Sequence, residues 1–317
     1  MIFQILITVV ALVLIFIFSV DKFSNNIQRI AGDKLRSTLQ KLTSSPIKGV
    51  FLGTVVTSIF QSSTATTVMT TGLVDAGLIT FTQSLGLIFG ANIGTTITSQ
   101  LIALNIVSIA PFIIILGFFI TKFGRKYNIY GKPIFYFGLI FFCISLITQV
   151  VAPVSQNETL IIFLSGITGL FPAIIFGILI TILFQSSSIT NGLILILAGS
   201  GLISFPQGVA FMLGSNIGTT STTLLVSIPL SQSAKKTAIA HLLFNVLGVI
   251  IIIPFLKPLG LFIQSLGGNT VQQIANMHIL FNVIAAFVFL ITIKQFTKLI
   301  EFISSKIILK VDNVKLS

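Results

Sequence analysis

Long apolar runs separated by short polar and basic stretches dominate the chain, and several runs are long enough to cross a lipid bilayer. A helix needs about 20 predominantly apolar residues to span a hydrocarbon core of about 30 Å. Runs near that length lie at Ile2–Val20, Thr80–Leu104, Val107–Thr121, Ile134–Val151, Phe205–Pro229, Ala238–Leu256 and Ile274–Ile293. Two further apolar stretches are interrupted midway, by Gln61-Ser62-Ser63 and by Gln185-Ser186-Ser187. Turn-forming polar residues in that position predict a re-entrant helical hairpin that enters and leaves on the same side. The pattern therefore predicts an all-α polytopic membrane protein with about seven crossings and two hairpins.

The chain repeats itself. Gly53–Ala103 aligns without gaps onto Gly177–Ser227 at a constant offset of 124 residues, and 21 of the 51 pairs are identical. The identities include Phe60-Gln61-Ser62-Ser63 with Phe184-Gln185-Ser186-Ser187, and Asn92-Ile93-Gly94-Thr95-Thr96 with Asn216-Ile217-Gly218-Thr219-Thr220. Apolar composition alone makes Leu and Ile coincide, but it does not bring Gln, Asn, Ser and Thr into register. Counting spans places the start of the first copy inside and that of the second outside. The two copies are thus inverted-topology repeats, an architecture that puts binding sites near the bilayer midplane at broken helices. The expected divisions are a first repeat over 1–125 (hairpin around 50–74) and a second over 126–256 (hairpin around 172–199). An additional span over 257–293 and a basic cytoplasmic tail over 294–317 follow.

Composition supports the membrane reading. Of 317 residues, 54% are hydrophobic and 8% charged, against about 25% charged in soluble domains. The formal charge of +12 does not point to nucleic acid, because the cations gather in patches: Lys22–Lys48, Lys122–Lys132, Lys235–Lys236 and Lys294–Lys315. Short basic loops between apolar spans mark the cytoplasmic side. The N-terminus is then outside and the C-terminus cytoplasmic, in a plasma (inner) membrane, with Asp21–Ser45 lying along the cytoplasmic surface and Ala152–Glu158 as an external loop. Met1–Val20 has no basic leader and no small-residue cleavage site, so it reads as a retained span. The single cysteine, Cys143, excludes an intrachain disulfide.

The polar clusters carry the candidate chemistry. Gln61, Ser62, Ser63 and Thr64, with Gln185, Ser186, Ser187 and Ser188, supply donors at hairpin tips. There, exposed helix N-termini favour an oxyanion. Asn92, Thr95, Thr96, Asn216, Thr219, Thr220 and Thr66 supply neutral oxygens, and glycines at 90, 94, 214 and 218 are expected to break the helices and free carbonyls for a hard cation such as sodium. The alternative for any one cluster is hydrogen bonding between helices, which small polar residues commonly provide in membranes; the doubled, inverted pattern favours a site. No Lys or Arg lies within the spans near these clusters, so mobile cations must neutralise a bound anion. His241-x-x-Phe244-Asn245 recurs as His278-x-x-Phe281-Asn282, and packing of the last two spans is its favoured reading over gating. Asp75 reads as interfacial. No Gly-x-Ser-x-Gly elbow accompanies the serines, so the chain is not expected to be an enzyme, and no organic cofactor is implied.

These segments, with Ala240-His241-Leu242-Leu243-Phe244-Asn245, resemble the bacterial sodium/phosphate cotransporter family, which is related to the animal type II sodium-phosphate carriers. The similarity runs from about Gly32 to Ile293. It implies sodium-coupled symport of inorganic phosphate by alternating access. It also implies that the Gln-Ser-Ser hairpins and the Asn/Thr segments line the phosphate and sodium sites. A cation-coupled carrier of sulfate or a small carboxylate is the alternative. Many bacterial members carry a further domain resembling the phosphate-uptake regulator PhoU, which is expected to be missing here. The expected partners are phosphate, sodium and lipid, with a homodimer left open as the assembly.

Overall fold

The structure, a computed structural model, describes residues 2–43, 45–104, 106–151, 166–167 and 169–314. The expected loop Ala152–Glu158 and the last residues of the tail lie outside them. Every regular element among the described residues is helical. In chain order they are α1 (Ile2–Leu42), α2 (Pro46–Phe60), α3 (Ser63–Asp75), α4 (Phe81–Ala103), α5 (Ala110–Phe123), α6 (Asn128–Val151) and α7 (Leu170–Phe184). There follow α8 (Ser187–Gly199), α9 (Phe205–Gly218), α10 (Thr220–Ser227), α11 (Gln232–Ile252), α12 (Leu256–Ser265), α13 (Thr270–Ile291) and α14 (Ile293–Val314). The protein is a multi-pass membrane protein, and six stretches among the described residues are long and apolar enough to cross a bilayer.

Both hairpins form where the polar interruptions place them. Helices α2 and α3 meet at Gln61, and α7 and α8 meet at Gln185. Each glutamine adopts a left-handed backbone, with φ of 52°. Ser62 and Ser186 then cap the helix that follows, accepting from the backbone N–H groups of Ala65 and Ile189 at 3.1 and 3.4 Å. The arms are stapled at equivalent positions. Thr57 Oγ1 donates to Thr66 Oγ1 at 2.9 Å, and Thr181 Oγ1 to Thr190 Oγ1 at 3.1 Å.

The repeated glycines bring backbones into contact. Helix α4 is continuous through Gly90 and Gly94, so the expected interruption of the first copy is absent. In the second copy the helix is interrupted at Thr219, between α9 and α10. A Cβ built on Gly90 would sit 2.1 Å from the carbonyl oxygen of Val50, and one on Gly214 would sit 2.0 Å from that of Ile174. Gly94 and Gly218 meet the Thr54 and Ile178 carbonyls in the same way. Glycines four residues apart line one face of a helix and let two backbones touch. They lock α2 alongside α4, and α7 alongside α9, in parallel.

The two copies run in opposite directions. Ser231 N–H donates to Asp75 Oδ1 at 2.7 Å, and the Ser84 and Thr237 hydroxyls lie 3.2 Å apart, so the end of α10 lies at the start of α4. At the other end, Gln100 donates to Asn276 at 3.3 Å while Ile274 packs on Gly208. The end of α4 is therefore level with the start of α9. Hairpin α2–α3 enters from one side and α7–α8 from the other. Asp75 is exposed at the hairpin base.

Other boundaries move for identifiable reasons. Helix α1 runs on past Val20 because no Gly or Pro precedes Gly32, where the backbone turns non-helical; its membrane-capable part is Ile7–Gly32 rather than Ile2–Val20. The expected span Val107–Thr121 is a short 3-10 turn followed by α5, whose 14 residues reach only about 21 Å. It lies against α6, with Gly117 abutting the backbone of Phe135 and Gly138 that of Ile114. Lys235 and Lys236 belong to the first turn of α11 rather than to a loop. The basic tail is helical as far as Val314, and Phe296 and Ile300 on it are buried. Phe296 joins a cluster with Phe89, Phe244 and Phe289 that ties α4, α11, α13 and α14 together; Phe89 stacks on Phe244 at 4.6 Å.

Gly90→Ala and Gly214→Ala are each expected to lower stability in detergent by about 1–3 kcal/mol, because the added methyl overpacks a backbone contact. Gly72→Ala, inside α3 where a Cβ meets nothing within 4 Å, should leave the thermal transition unchanged or raise it, because Ala favours a helix interior over Gly.

Candidate functional site

The hairpin tips meet inside the protein. Ser188 Oγ donates to the backbone carbonyl of Gln61 at 3.3 Å, so the first turn of α8 touches the turn that precedes α3. Two helix N-termini from opposite sides converge there. The first turn of a helix holds backbone N–H groups without intrahelical acceptors, and its dipole places partial positive charge at that end. Ser63, Ser187 and Ser188 are buried among them, and Thr64 lies beside Ser63. A pair of such termini facing one another, with hydroxyls and no fixed cation, forms a neutral cradle of donors suited to a small oxyanion.

The glutamines differ. Gln61 is 8% exposed; its Oε1 accepts from Thr98 Oγ1 at 2.6 Å and its Nε2 donates to the Ser58 carbonyl at 2.5 Å. Gln185 is exposed. Thr222, the equivalent of Thr98, has a buried hydroxyl with no partner.

The oxygens proposed for a cation are spread along α4, the α9–α10 segment and the hairpin arm rather than gathered at one point. Asn92 Nδ2, Thr95 Oγ1 and Thr96 Oγ1 donate to the Ile88, Ala91 and Ile93 carbonyls of their own helix. These groups keep acceptor lone pairs. Thr220 does the same with Ile217 at 2.7 Å, whereas Thr219 Oγ1, at the interruption, is buried without a partner. Thr66 belongs to the staple of the first hairpin. Asn216 Nδ2 donates to Asn282 Oδ1 at 3.5 Å, and Asn216 Oδ1 lies 3.4 Å from His278 Nε2.

Several buried polar residues joined to this centre were not among those expected from sequence. Ser99 Oγ lies 3.0 Å from His278 Nδ1, and Thr223 Oγ1 lies 3.3 Å from His241 Nδ1 and 3.0 Å from Thr67 Oγ1. His278 thus contacts the first copy and His241 the second, at equivalent positions. Ser99 and Thr223 are 124 residues apart, and that offset was the available signal. Among the described residues no cluster of three His, Cys, Asp or Glu is placed to hold a metal. A cation here would rely on neutral oxygens, which suits a hard monovalent ion.

Comparison with known proteins places the chain in a family. The model of a family described as Na+/Pi-cotransporter matches residues 15–149 and 155–286. An uncharacterized protein of Bacillus subtilis, YqeW, is 32% identical over 86% of this chain and 89% of its own length. A protein of Salmonella typhimurium named putative inorganic phosphate export protein YjbB is 28% identical over 76% of this chain. The mouse sodium-dependent phosphate transport protein 2A is 33% identical over 30% of this chain and 15% of its own. The chain spans 45% of the length of that export relative. No solved structure matches.

Tip contact is directly testable. In a Cys143→Ala background, Gln61→Cys combined with Ser188→Cys should be joined by a short bis-thiol reagent in membranes. Neither single cysteine should form the product.

Proposed function

Because the chain belongs to the Na+/Pi-cotransporter family, we propose that it carries inorganic phosphate across the bilayer in symport with sodium, by alternating access to the paired hairpin tips. The observation that carries this reading is the contact between Ser188 and the Gln61 carbonyl, which brings two inverted helix N-termini together at one point. Gln61, Ser62, Ser63 and Thr64 from one tip, with Gln185, Ser186, Ser187 and Ser188 from the other, would hold the phosphate oxygens. Asn92, Thr95, Thr96, Asn216, Thr219, Thr220 and Thr66 would supply oxygens to sodium, the orphaned hydroxyl of Thr219 being the strongest candidate among them. The relatives named for phosphate export and for sodium-dependent phosphate transport support the substrate and the ion.

Electrostatics supports the coupling. Moving one charge against a potential of 100 mV costs about 2.3 kcal/mol, so phosphate carrying two charges needs about 4.6 kcal/mol on entry. A neutral cradle cannot offset that, and co-bound sodium ions can. Net direction then follows the gradients, so the same site serves uptake or export. The basic patches support a cytoplasmic C-terminus and an external N-terminus.

Radiolabelled phosphate should accumulate in proteoliposomes only when a sodium gradient is imposed. Excess sulfate or dicarboxylate should leave that uptake unchanged, and competition by either would transfer the site to another anion. Gln61→Ala and Gln185→Ala should each reduce uptake by about 10- to 150-fold, the range for losing a hydrogen bond to a charged group, with insertion into the membrane retained.

A further inference from the structure

The two histidine helices obey the same internal symmetry as the hairpins. Ser84 meets Thr237 where α4 passes α11, and Gly208 meets Ile274 where α9 passes α13. Subtracting the repeat offset of 124 from 208, and the motif offset of 37 from 274, gives 84 and 237. The α4–α11 and α9–α13 contacts are therefore equivalent, and Asn92 should stand to His241 and Asn245 as Asn216 stands to His278 and Asn282.

Hydrogen bonding does not follow that equivalence. Around His278 every link is made. Ser99 on α4 bonds Nδ1, Nε2 meets Asn216 Oδ1 on α9, Asn216 donates to Asn282 Oδ1, and Asn282 donates to the His278 carbonyl at 2.9 Å. The amide oxygen of Asn216 accepts, so Nε2 carries the proton and Ser99 donates to Nδ1. Through Thr98, next to Ser99, the chain reaches Gln61 and the first tip. Around His241 only half is made. Thr223 bonds Nδ1 and Asn245 donates to the His241 carbonyl at 3.0 Å, but Nε2 of His241 and Oδ1 of Asn245 are buried with no partner. Asn92 has turned to the Ile88 carbonyl of its own helix, and Thr222 lacks Gln185. An orphaned polar atom at membrane depth is costly, and three orphaned groups whose counterparts are bonded, beside Asn92 bonded to its own helix, point to a second arrangement that closes them.

We propose that His278 and His241 are positioning residues for transport, each able to bridge one inverted copy to the other, with one bridge complete while its counterpart stands open. In the alternate arrangement, His241 Nε2 donates to Asn92 and Gln185 closes on Thr222, while the Gln61–Thr98–Ser99–His278–Asn216 chain opens. The imidazoles thereby couple the closing of one tip to the release of the other. This rests on the transport reading above, and it assigns the coupling to residues that need not touch either substrate.

The chain has only two histidines, so 15N-histidine labelling gives a two-residue imidazole spectrum, assigned with His278→Gln and His241→Gln. Without phosphate, His278 should show both ring nitrogens hydrogen bonded and His241 only Nδ1. Adding sodium and phosphate should raise the bonded fraction at His241 Nε2 and lower it at His278 Nε2. In liposomes, Ser99→Ala and His278→Ala should lower turnover by about 10-fold with phosphate KM changed less than about twofold, and His278→Gln, which keeps an N–H near Nε2, should recover part of it. Imidazole signals that move together, or stay fixed, while sodium-driven uptake is intact would overturn the bridge and leave the transport reading standing. Absence of uptake by the unaltered protein would overturn the transport reading itself.

Discussion

A backbone break inside hydrocarbon survives only where protein supplies the hydrogen bonds it gives up, and this molecule is arranged around two such breaks meeting tip to tip. Each needs its own wall. Helices α4 and α9 provide it by lying in backbone contact with α2 and α7, a proximity that glycine alone permits at Gly90 and Gly214. The threonine staples and the serine caps then hold each turn, and the left-handed glutamine takes the residue that neither helix can accommodate.

What the tips enclose follows from the same geometry. Opposed N-termini concentrate donors and partial positive charge without placing any lysine or arginine at depth. Attraction for an oxyanion is strong at short range, yet the net charge of the empty site is zero, so the loaded site carries the charge of its cargo unless cations enter with it. Neutral oxygens on α4 and the α9–α10 segment are the groups proposed to hold such cations. A cradle built from dipoles is thus the kind of site at which the proposed coupling of ion and anion would arise.

Asymmetry between chemically equivalent halves gives the structure a direction. Gln61 of the first tip is buried and bonded to its wall, while Gln185 of the second is exposed and the wall hydroxyl of Thr222 stands free. The histidine networks divide the same way. Two inverted copies held in unlike hydrogen-bond arrangements are what the proposed exchange would require of a bistable element.

Much of this was legible in the residues. Gln, Ser, Asn and Thr repeating in register revealed the duplication, and the Gln-Ser-Ser interruptions located both hairpin turns, because turn chemistry and apolar run length are local properties that a chain carries in its order. The continuity of α4 was not legible. A glycine that permits a turn and a glycine that admits a neighbouring backbone are the same residue, and only the position of α2 distinguishes them. Nor could the histidine bridges be read, since His278 finds Ser99 across 179 residues through the packing of helices whose order along the chain does not encode their contacts. The sequence by itself determined the helices, their inversion and the polar residues available at depth. Tertiary structure alone decided which of those residues are partnered and which stand open, because a hydrogen bond is settled by distance and direction, and both are set only once the helices have packed.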